Sequence, residues 1–481
     1  MMSTMLVPAV VTMLCSSAWG ATWTVDDDLA DLPTADFTAI QPAIEAASNG
    51  DIIRVYPGFY SGAINFLGKA ITVESTDAEQ ATIDGSETST SVVSFVSGET
   101  AESVLDGFRI GQGSGTMIID PIFGAVRCGG GIIVVDSSPT IRNCLVTSNA
   151  CWGGAGLFCQ RGNGRIENCQ FVGNISEGHG GGIYNLESSN PTIVNCRFEK
   201  NSASWGGGMT NTVDCSPTIT DCVFEANMIG NVGGGIYNRS RSSPTVTGCS
   251  FIGNVQTGNP LGAGGGICNY GVGNGGGPCY PVVTNCLFEG NIVNGDGAGM
   301  SNAYDCHPDV IDCTFRDNHA GRNGGGLACP GNLDPYFPSN AKLINCLFEG
   351  NMADEFGGGF HSRASEPSVD SCEFRDNIAG AGGGGAGFTD SPSATVANSA
   401  FCGNSPADFS GDFTDLGGNT SQPECLDCLG DINGDGEVGV DDVLAMISAW
   451  GFCGGCPADL DGDGDVDVND LLDLLGAYGP C

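Results

Sequence analysis

Short runs in which apolar and polar residues alternate recur through the middle of the chain, and nearly all carry a Cys and a Phe two residues apart. Alternation with a period of two predicts β-strands, and residues at this spacing share one face of the strand. We expect that face to be the interior. Ten such segments follow one another: RNCLVTSN, ENCQFVGN, VNCRFEKN, TDCVFEAN, TGCSFIGN, TNCLFEGN, IDCTFRDN, INCLFEGN, DSCEFRDN and ANSAFCGN.

The segments return at a nearly constant interval, with longer intervals only after Cys249 and Cys313, and every segment ends in Asn. A repeat of this size without helical spacing predicts a β-solenoid, whose coils stack about 4.8 Å apart so that equivalent residues form columns. The Cys column is Cys144, Cys169, Cys196, Cys222, Cys249, Cys286, Cys313, Cys346 and Cys372, with Ser399 in tenth place. The next column is Val146, Phe171, Phe198, Phe224, Phe251, Phe288, Phe315, Phe348, Phe374 and Phe401. The Asn column is Asn149, Asn174, Asn201, Asn227, Asn254, Asn291, Asn318, Asn351, Asn377 and Asn404.

Glycine-rich segments alternate with these strands, and they indicate tight backbone turns. They read GGGI at 129–132, GGGIYN at 180–185 and 233–238, GGGL at 324–327 and GGGF at 357–360. The paired GGG-apolar and F-x-x-N motifs resemble the repeats of the chlamydial polymorphic outer-membrane proteins. That resemblance covers residues 125 to 404 and implies an all-β fold, a right-handed parallel β-helix of the pectin-lyase-like kind.

The beginning of the predicted solenoid has a different pattern. Phe37, Ile40, Ile44 and Ala47 follow helical spacing and stop at Asn49-Gly50, before the predicted strand IIRVYPG. This arrangement resembles the N-terminal cap helix and first coil of pectin-lyase-like proteins. A solenoid needs such a cap over its apolar end, and we place the β-helix at residues 21–424.

Residues 1–20 have an apolar core followed by Ala18-Trp19-Gly20, with small residues where a signal peptidase would cleave before Ala21. We expect a signal peptide and a secreted or cell-surface protein, although the segment has no Lys or Arg and an uncleaved anchor is the alternative. No other apolar run is as long as a membrane-spanning helix requires, so we expect no membrane span.

The chain is strongly acidic, with 56 Asp and Glu against 16 Lys and Arg and a formal net charge of −40. Nucleic-acid binding is excluded, because phosphate contacts need clustered basic residues. Arg375 is the last basic residue. The acidic C-terminal end is therefore either a solvated tail or a binder of divalent cations.

Two twelve-residue stretches favour the cation binder. DINGDGEVGVDD begins at Asp431 and DLDGDGDVDVND begins at Asp459; both place oxygen side chains and a glycine where an EF-hand calcium loop needs them. Hard oxygen ligands select Ca²⁺ over softer metals. The predicted ligands are Asp431, Asn433, Asp435, the backbone carbonyl of Glu437 and Asp442 in the first loop, and Asp459, Asp461, Asp463, Asp465, Asp467 and Asp470 in the second.

The shift that places Asp431 on Asp459 superposes the two loops and also the apolar residues after them: Val438 on Val466, Val443 on Leu471, Leu444 on Leu472, Ile447 on Leu475 and Trp450 on Tyr478. Each loop therefore precedes one short amphipathic helix, whose Val/Leu/Ile face we expect to be buried. Residues 425–481 resemble the type I dockerin module of cellulosomal proteins. The resemblance implies calcium binding and a cohesin-like partner. Loop positions 10 and 11, which recognise cohesin in that family, are Val440-Asp441 and Val468-Asn469 and not the common Ser-Thr.

We expect the cysteines of the Cys column to be small buried fillers, with a run of disulfides as the alternative. The cysteines outside the column suggest crosslinks. Cys151 with Cys159 and Cys268 with Cys279 are the predicted bridges. The two C-x-x-C pairs before and after the first calcium loop favour disulfides over zinc in an exported protein. Their pairing stays open, although the resemblance to dockerin would bring Cys425 or Cys428 near Cys481.

No catalytic constellation emerges from the sequence. His179 forms a Gly-His-Gly motif but should face Trp205 of the next coil, and Arg239 and Arg363 lie four coils apart. We expect an exported β-helix that binds polysaccharide or acts at the cell surface, attached through its C-terminal module. The alternatives are a polysaccharide lyase or O-glycosyl hydrolase on the same fold, and a surface adhesin.

Overall fold

The computed structural model describes residues 20–78, 80–271, 277–331, 337–423, 425, 430–433, 437–453, 456–461 and 464–480. The chain forms two compact units, Met1–Ser421 and Gln422–Cys481. The predicted signal peptide lies outside the described residues except for Gly20. No helix in the described ranges is long and apolar enough to cross a membrane.

The first unit is the predicted right-handed parallel β-helix. Each winding, called a coil below, passes through four sheets in turn between Val104 and Thr389 and through three sheets before and after, and the coils join by parallel pairing of their strands. Sheet 1 consists of Thr22–Val25, Ile52–Val55, Thr72–Ser75, Val104–Asp106, Thr140–Arg142, Arg165–Glu167, Thr192–Val194, Thr218–Thr220, Thr245–Thr247, Val282–Thr284, Asp309–Ile311, Lys342–Ile344, Ser368–Asp370, Thr395–Ala397 and Thr414–Asp415. Sheet 2 consists of Gly58–Ser61, Ala81–Asp84, Arg109–Gly111, Leu145–Thr147, Gln170–Val172, Arg197–Glu199, Val223–Glu225, Ser250–Ile252, Leu287–Glu289, Thr314–Arg316, Leu347–Glu349, Glu373–Arg375, Ala400–Cys402 and Thr420–Gln422.

Sheets 3 and 4 complete each coil. Sheet 3 begins with an antiparallel hairpin, Thr116–Asp120 and Gly124–Cys128. It continues with Ala150–Gly153, Ile175–His179, Ser202–Trp205, Met228–Val232, Val255–Gln256, Ile292–Val293, His319–Ala320, Met352–Ala353 and Ile378–Ala379. Sheet 4 consists of Ile64–Asn65, Val93–Phe95, Ile132–Val135, Leu157–Gln160, Ile183–Leu186, Met209–Thr212, Ile236–Arg239, Ile267–Tyr270, Met300–Ala303, Leu327–Pro330, Phe360–Arg363, Ala386–Thr389 and Phe409–Gly411.

The predicted columns form the main core. All nine Cys of the column are buried and free, so the filler hypothesis is confirmed and the alternative of a disulfide run is wrong. The phenylalanines stack nearly parallel along the axis; the rings of Phe198 and Phe224, for example, have centroids 4.5 Å apart and an interplanar angle of 3°. Such stacks add to the area burial that stabilises each interface between coils.

The Asn column is a continuous hydrogen-bonded ladder. The Nδ2 of each Asn donates to the Oδ1 of the next, as Asn254 does to Asn291 at 2.9 Å, and also to a backbone carbonyl, here that of Phe224 at 3.0 Å. All ten are buried except Asn404 at the end. A second ladder, which the sequence analysis missed, joins Asn185, Asn211, Asn238, Asn269 and Asn302 in sheet 4.

The glycine triplets fit the columns closely. Gly180 has φ +60°, a left-handed conformation that glycine adopts without strain. A Cβ on Gly182 would lie 2.5 Å from the carbonyl oxygen of Gly208 and 2.8 Å from the ring of Phe198. The glycine motif and the Phe motif are therefore two sides of one contact.

The N-terminal cap is confirmed as a short helix, α1, at Ile40–Ala46. Ile40, Ala43 and Ile44 are buried in the main core. The helix ends before Gly50, which has φ +90°, and sheet 1 resumes at Ile52.

The predicted bridges in the β-helix are wrong. Cys151, Cys159 and Cys268 are free, and Cys279 forms a disulfide with Cys306, with a Cα–Cα distance of 4.7 Å. Cys279 and Cys306 occupy equivalent positions of adjacent coils and pair as a bridge, whereas Cys151 and Cys159 belong to different sheets of one coil. Cys402 is also disulfide-bonded.

The second unit contains helices α2, Val440–Ser448, and α3, Val468–Gly476. Two short antiparallel pairs accompany them, Glu437–Val438 with Gly479–Pro480 and Gly451–Phe452 with Asp465–Val466. Cys453 and Cys456 form a disulfide with each other, and Cys425 is disulfide-bonded. The prediction of disulfides is confirmed for these three cysteines, whose pairing the sequence left open. Cys428 and Cys481 lie outside the described residues.

Candidate metal centre

The last acid of each predicted loop ties the start of the loop to the start of the helix. Asp442 accepts from the backbone N–H of Ile432 at 2.7 Å and Asn433 at 3.0 Å through Oδ1, and from that of Gly439 at 2.8 Å through Oδ2. Asp470 does the same with Leu460, Asp461 and Asp467. Both carboxylates are buried. The duplication seen in the sequence is therefore a duplication of geometry.

These contacts keep both acids ionised despite their burial. For Asp442, burial raises the pKa, but the backbone N–H groups of Gly439, Asn433 and Ile432 outweigh it and hold the pKa below its ordinary value. For Asp470 the N–H of Asp467 is the largest cause of a lowered pKa. Two buried negative charges thus face the loops.

In the second loop three carboxylates converge. Asp459, Asp461 and Asp470 each place one oxygen within 4.8 Å of the others. Asp459 Oδ2 accepts from the N–H of Gly464 at 3.0 Å, while its Oδ1 is buried and has no hydrogen-bond partner. A buried carboxylate oxygen without a partner is costly, and a hard cation held by one oxygen of each of the three carboxylates would satisfy Asp459 Oδ1. The residues present therefore fit Ca²⁺.

The predicted ligands outside this cluster differ in burial. Asp431 is half-buried, whereas Asn433 and Asp465 are exposed, as is Asp461 of the cluster. Asp467 is the N-cap of α3 and accepts from the N–H of Asn469 at 2.7 Å. Asp435, Asp463 and the side chain of Glu437 lie outside the described residues.

The expected burial of the Val/Leu/Ile face is only partly right. Val438, Met446, Val466 and Leu474 are buried with Ala458 in a small core. A second set is exposed, between 49% and 63%, and consists of four pairs related by the duplication: Val440 and Val468, Leu444 and Leu472, Ile447 and Leu475, Trp450 and Tyr478. We call this set the apolar docking face. The reason is that so short a helix cannot bury two apolar faces against so small a core.

The β-helix carries a groove of about 260 Å³ on the outer face of sheet 2. The ring of Phe59, 60% exposed, lines it together with Arg109, Asp84 and Gln112. Both oxygens of Asp84 are engaged by Ser86, whereas Arg109 has no ion pair among the described residues. The hollow exists where Gly111 interrupts a column of larger side chains.

The residues considered for catalysis are dispersed, as expected. His179 pairs with Trp205 of the next coil and is 1% exposed, so solvent does not reach its ring. Arg239 and Arg363 are in register four coils apart in sheet 4, about 19 Å at the usual strand spacing. A separate pair, Asp305 and His307, lies in a loop of the β-helix: Asp305 Oδ1 is 2.9 Å from His307 Nε2, and the backbone N–H of Asn340 donates to His307 Nδ1.

Comparison with known proteins supports the fold. Residues 106–275 match the family described as "Right handed beta helix region", and no curated protein matches the chain. Similar solved structures include a PL6 alginate lyase in complex with a trisaccharide, 13% identical over 85% of this chain and 86% of that one, with a TM-score of 0.37. A GH87 α-1,3-glucanase from Streptomyces thermodiastaticus is 13% identical over 80% and 64%, with a TM-score of 0.35, and the Siphovirus 9NA tailspike receptor-binding domain is 11% identical over 85% and 77%, also at 0.35. Likeness at this level carries no information on substrate, and what residues 106–275 share with the matched family is the right-handed β-helix.

Proposed function

We propose that residues 425–481 form a calcium-dependent docking module that attaches an exported β-helix to a protein partner. The observation that carries the proposal is the convergence of Asp459, Asp461 and Asp470, with one buried oxygen of Asp459 unpartnered. The same loop sequence and the same clamp at Asp442 support a second site in the first loop.

In this proposal each loop binds one Ca²⁺ through its side-chain oxygens and one backbone carbonyl. The hydrogen bonds of the last acid join each loop to the start of its helix, so a cation bound in the loop also fixes α2 or α3. Because residues 425–481 contain 13 acidic and no basic residues by count from the sequence, Ca²⁺ also removes the repulsion that opposes packing of the small core.

The apolar docking face supports a protein partner. Eight large apolar side chains exposed on so small a unit are more than a free surface normally carries. The resemblance to dockerin makes a cohesin-like domain the first partner to test. One half of the apolar docking face belongs to α2 and the other half to α3, with Leu444 matched by Leu472. A partner could therefore dock on either half.

Isothermal titration calorimetry of the intact protein with CaCl₂ tests the metal sites. We expect two bound Ca²⁺ in the wild type and one in Asp459→Asn. Asp473→Asn, an exposed acid of α3 outside the loops, is the matched control and should keep both. Absence of binding heat in the wild type, or an unchanged stoichiometry in Asp459→Asn, contradicts the proposal.

Docking is tested separately, with immobilised cohesin-like domains in Ca²⁺ or in EDTA. The double variant Leu444→Ser/Leu472→Ser should lose binding, while each single variant keeps one face. Binding that persists in EDTA contradicts calcium-dependent docking. It does not affect the test of the metal sites, which rests on the calorimetry alone.

The groove on sheet 2 favours a second function, polysaccharide binding by the β-helix. An exposed aromatic ring beside an arginine and hydrogen-bonding groups suits a sugar ring. Calorimetry with polygalacturonate, alginate and xylan should show binding that Phe59→Ala and Arg109→Gln weaken at least tenfold. A reducing-sugar and 235 nm absorbance screen on the same polymers tests the enzymatic alternatives.

A further inference from the structure

The first strand of the β-helix begins beside a buried carboxylate. The backbone N–H of Ala21 donates to Asp51 Oδ1 at 2.7 Å, and the backbone N–H of Ile52, the residue after Asp51, donates to the Ala21 carbonyl at 2.8 Å. The other oxygen, Asp51 Oδ2, accepts from the indole N–H of Trp23 at 3.1 Å and from the backbone N–H of Ser48 at 2.9 Å. Since Asp51 is 8% exposed, its carboxylate is held in one position where the first two strands of sheet 1 meet.

The negative charge of Asp51 is not neutralised by a cation. Its three donors are uncharged N–H groups, and no basic side chain within the described ranges makes an ion pair with it. The backbone N–H of Ser48 is the largest cause of a lowered pKa of Asp51, and the charge of Lys69 contributes less than the three N–H groups. The Lys69 Nζ donates instead to three backbone carbonyls, those of Ile44, Glu45 and Ala47. The carboxylate is therefore ionised and suited to a further positive charge.

A hollow of about 440 Å³ opens beside this carboxylate. It is lined by Asn49, Gly50, Asp51, Ala70, Thr72 and Glu102. Two of these six residues are acids and none is basic, so the local potential favours a cation. The hollow also leaves room for water around a small charged group.

Ala21 is the residue before which the sequence predicts cleavage of the signal peptide. Gly20 lies against the backbone of the next coil, where a Cβ would overlap the carbonyl group of Gly50. It makes no hydrogen bond to the described residues, so its removal costs none. Cleavage would turn the Ala21 nitrogen, 2.7 Å from Asp51 Oδ1, into an α-amine, which is protonated at neutral pH because its ordinary pKa is about 7.7–8.0.

We propose that cleavage before Ala21 creates an ammonium group that pairs with the Asp51 carboxylate and closes the first coil. Hydrolysis of the peptide bond adds one water: the Gly20 carbonyl carbon takes the hydroxyl, and the Ala21 nitrogen takes the hydrogen and then a proton from solvent. A neutral hydrogen bond thereby becomes a charge-assisted one, which is about twice as strong. The first coil is thus completed only after export. The proposal rests on the predicted cleavage site and does not depend on calcium binding or docking.

N-terminal sequencing of the protein exported by a bacterial host, with residues 1–20 attached at synthesis, tests the cleavage site. The first residue should be Ala21. Any other first residue overturns the proposal.

The ion pair is tested by the pH dependence of α-amine labelling in the folded mature protein, followed by mass spectrometry of the N-terminal peptide. The amine should hold its proton at least tenfold more tightly than an ordinary α-amine, so its pKa is raised. In Asp51→Asn the pKa should be ordinary. Asp36→Asn, which removes a carboxylate that accepts from Thr24 in the same strand, is the matched control and should keep the raised pKa.

An ordinary pKa in the mature wild type, or a raised one that survives in Asp51→Asn, overturns the ion pair. Where Asp51→Asn fails to fold, a chain that starts at Gly20 decides, because its amine lies one residue away from the carboxylate. An ordinary pKa in that chain supports the proposal, and one raised as much as in the mature protein rejects it.

Acetylation of the Ala21 amine tests the closing of the first coil, since it keeps the N–H and removes the charge. Hydrogen exchange of the amides in Thr22–Val25 and Ile52–Val55 should become several-fold faster in the wild type and stay unchanged in Asp51→Asn. Amides of Thr192–Val194, in a distant coil of the same sheet, serve as the internal control. Equal exchange in the free and the acetylated wild type contradicts the proposed closing.

Discussion

The β-helix and the C-terminal unit solve the burial of polar groups in opposite ways. In the β-helix, buried amides such as Asn254 and Asn291 satisfy one another along a ladder, and the contact repeats from Asn149 to Asn404. In the C-terminal unit, the buried carboxylates Asp442 and Asp470 depend on a few backbone N–H groups and on whatever charge the loops receive. The first region stabilises itself by repetition, whereas for the second we propose that bound Ca²⁺ completes the packing.

The largest difference between the two regions should appear when divalent cations are removed. In EDTA we expect α2 and α3 to lose their structure, because 13 acids without a base then oppose a core of five buried residues. Hydrogen exchange by mass spectrometry on the intact protein measures both regions at once. Amides of α2 and α3 should exchange rapidly in EDTA and slowly in Ca²⁺, while those of sheets 1 to 4 stay protected. Equal protection of α2 and α3 in both conditions would falsify calcium-coupled folding.

Within the β-helix, the ladder is the most sensitive feature. Asn254→Leu removes the acceptor of the Asn227 side chain and backbone N–H and the donor to Phe224. Each buried group left unpaired costs about 1–3 kcal/mol, so the free energy of unfolding should fall by at least that amount in urea denaturation. Glu366→Leu, at an exposed position between coils where the side chain makes no hydrogen bond to the described residues, should change it by less than about 0.5 kcal/mol. Equal losses would contradict the structural role of the ladder.

Acid should weaken the β-helix through its buried histidines. Burial lowers the pKa of both His179 and His361 to about 3, while in the unfolded chain the value is about 6.5. Above pH 6.5 these histidines are neutral in both states and do not lower the free energy of unfolding. As the pH falls from 6.5 toward 3, the unfolded chain binds protons that the folded one does not, so each histidine lowers the free energy of unfolding by about 2 kcal/mol at pH 5. Urea denaturation at pH 7 and pH 5 should show a smaller loss for His179→Phe than for the wild type. Phe158→Leu, which changes a buried residue that does not titrate, should lose as much as the wild type; equal losses in all three would sink the explanation.

The smallest effect on stability should come from the apolar docking face. Leu444→Ser should leave the thermal midpoint of the calcium-loaded protein within about 1 °C, since Leu444 is 55% exposed. Met446→Ser, two residues later and buried, should lower the midpoint of the C-terminal transition by several times as much. A large loss in Leu444→Ser would mean that the face is covered in the free protein.

The sequence predicted the features that repeat in register. The Cys, Phe and Asn columns were readable because residues two apart on a strand share a face and the coils stack at a fixed spacing. The cap helix was readable from Ile40 and Ile44. The burial of Tyr184 and Tyr237 on the other face of sheet 4 was not readable, because it depends on contacts with sheet 3, such as the stacking of the His179 ring with both. The bridge from Cys279 to Cys306 was missed for a related reason: partners in a solenoid are one period apart in sequence, not neighbours along the chain.

In the candidate metal centre, too, some features could be predicted from the sequence and others could not. Loop spacing alone identified Asp459, Asp461 and Asp470, because the ligand positions of a calcium loop are local in sequence. The double hydrogen bonding of Asp442 and Asp470 was not apparent, as it joins groups ten residues apart through the fold. The exposure of Leu444 and Leu472 depended on how small the core is, which no periodicity reveals.

The uniform coil has a consequence at the level of the gene. Since each coil contacts mainly the ones before and after it, and Phe198, Phe224 and Phe251 are interchangeable rungs of one stack, an in-frame duplication or deletion of one whole repeat rejoins every column without a mismatch. A shift by any other number of residues would place Gly182 and its counterparts against side chains instead of the Phe column. Relatives of this chain should therefore differ in length by whole coils. The two acidic loops of the C-terminal unit form a matched pair, so their number should stay at two.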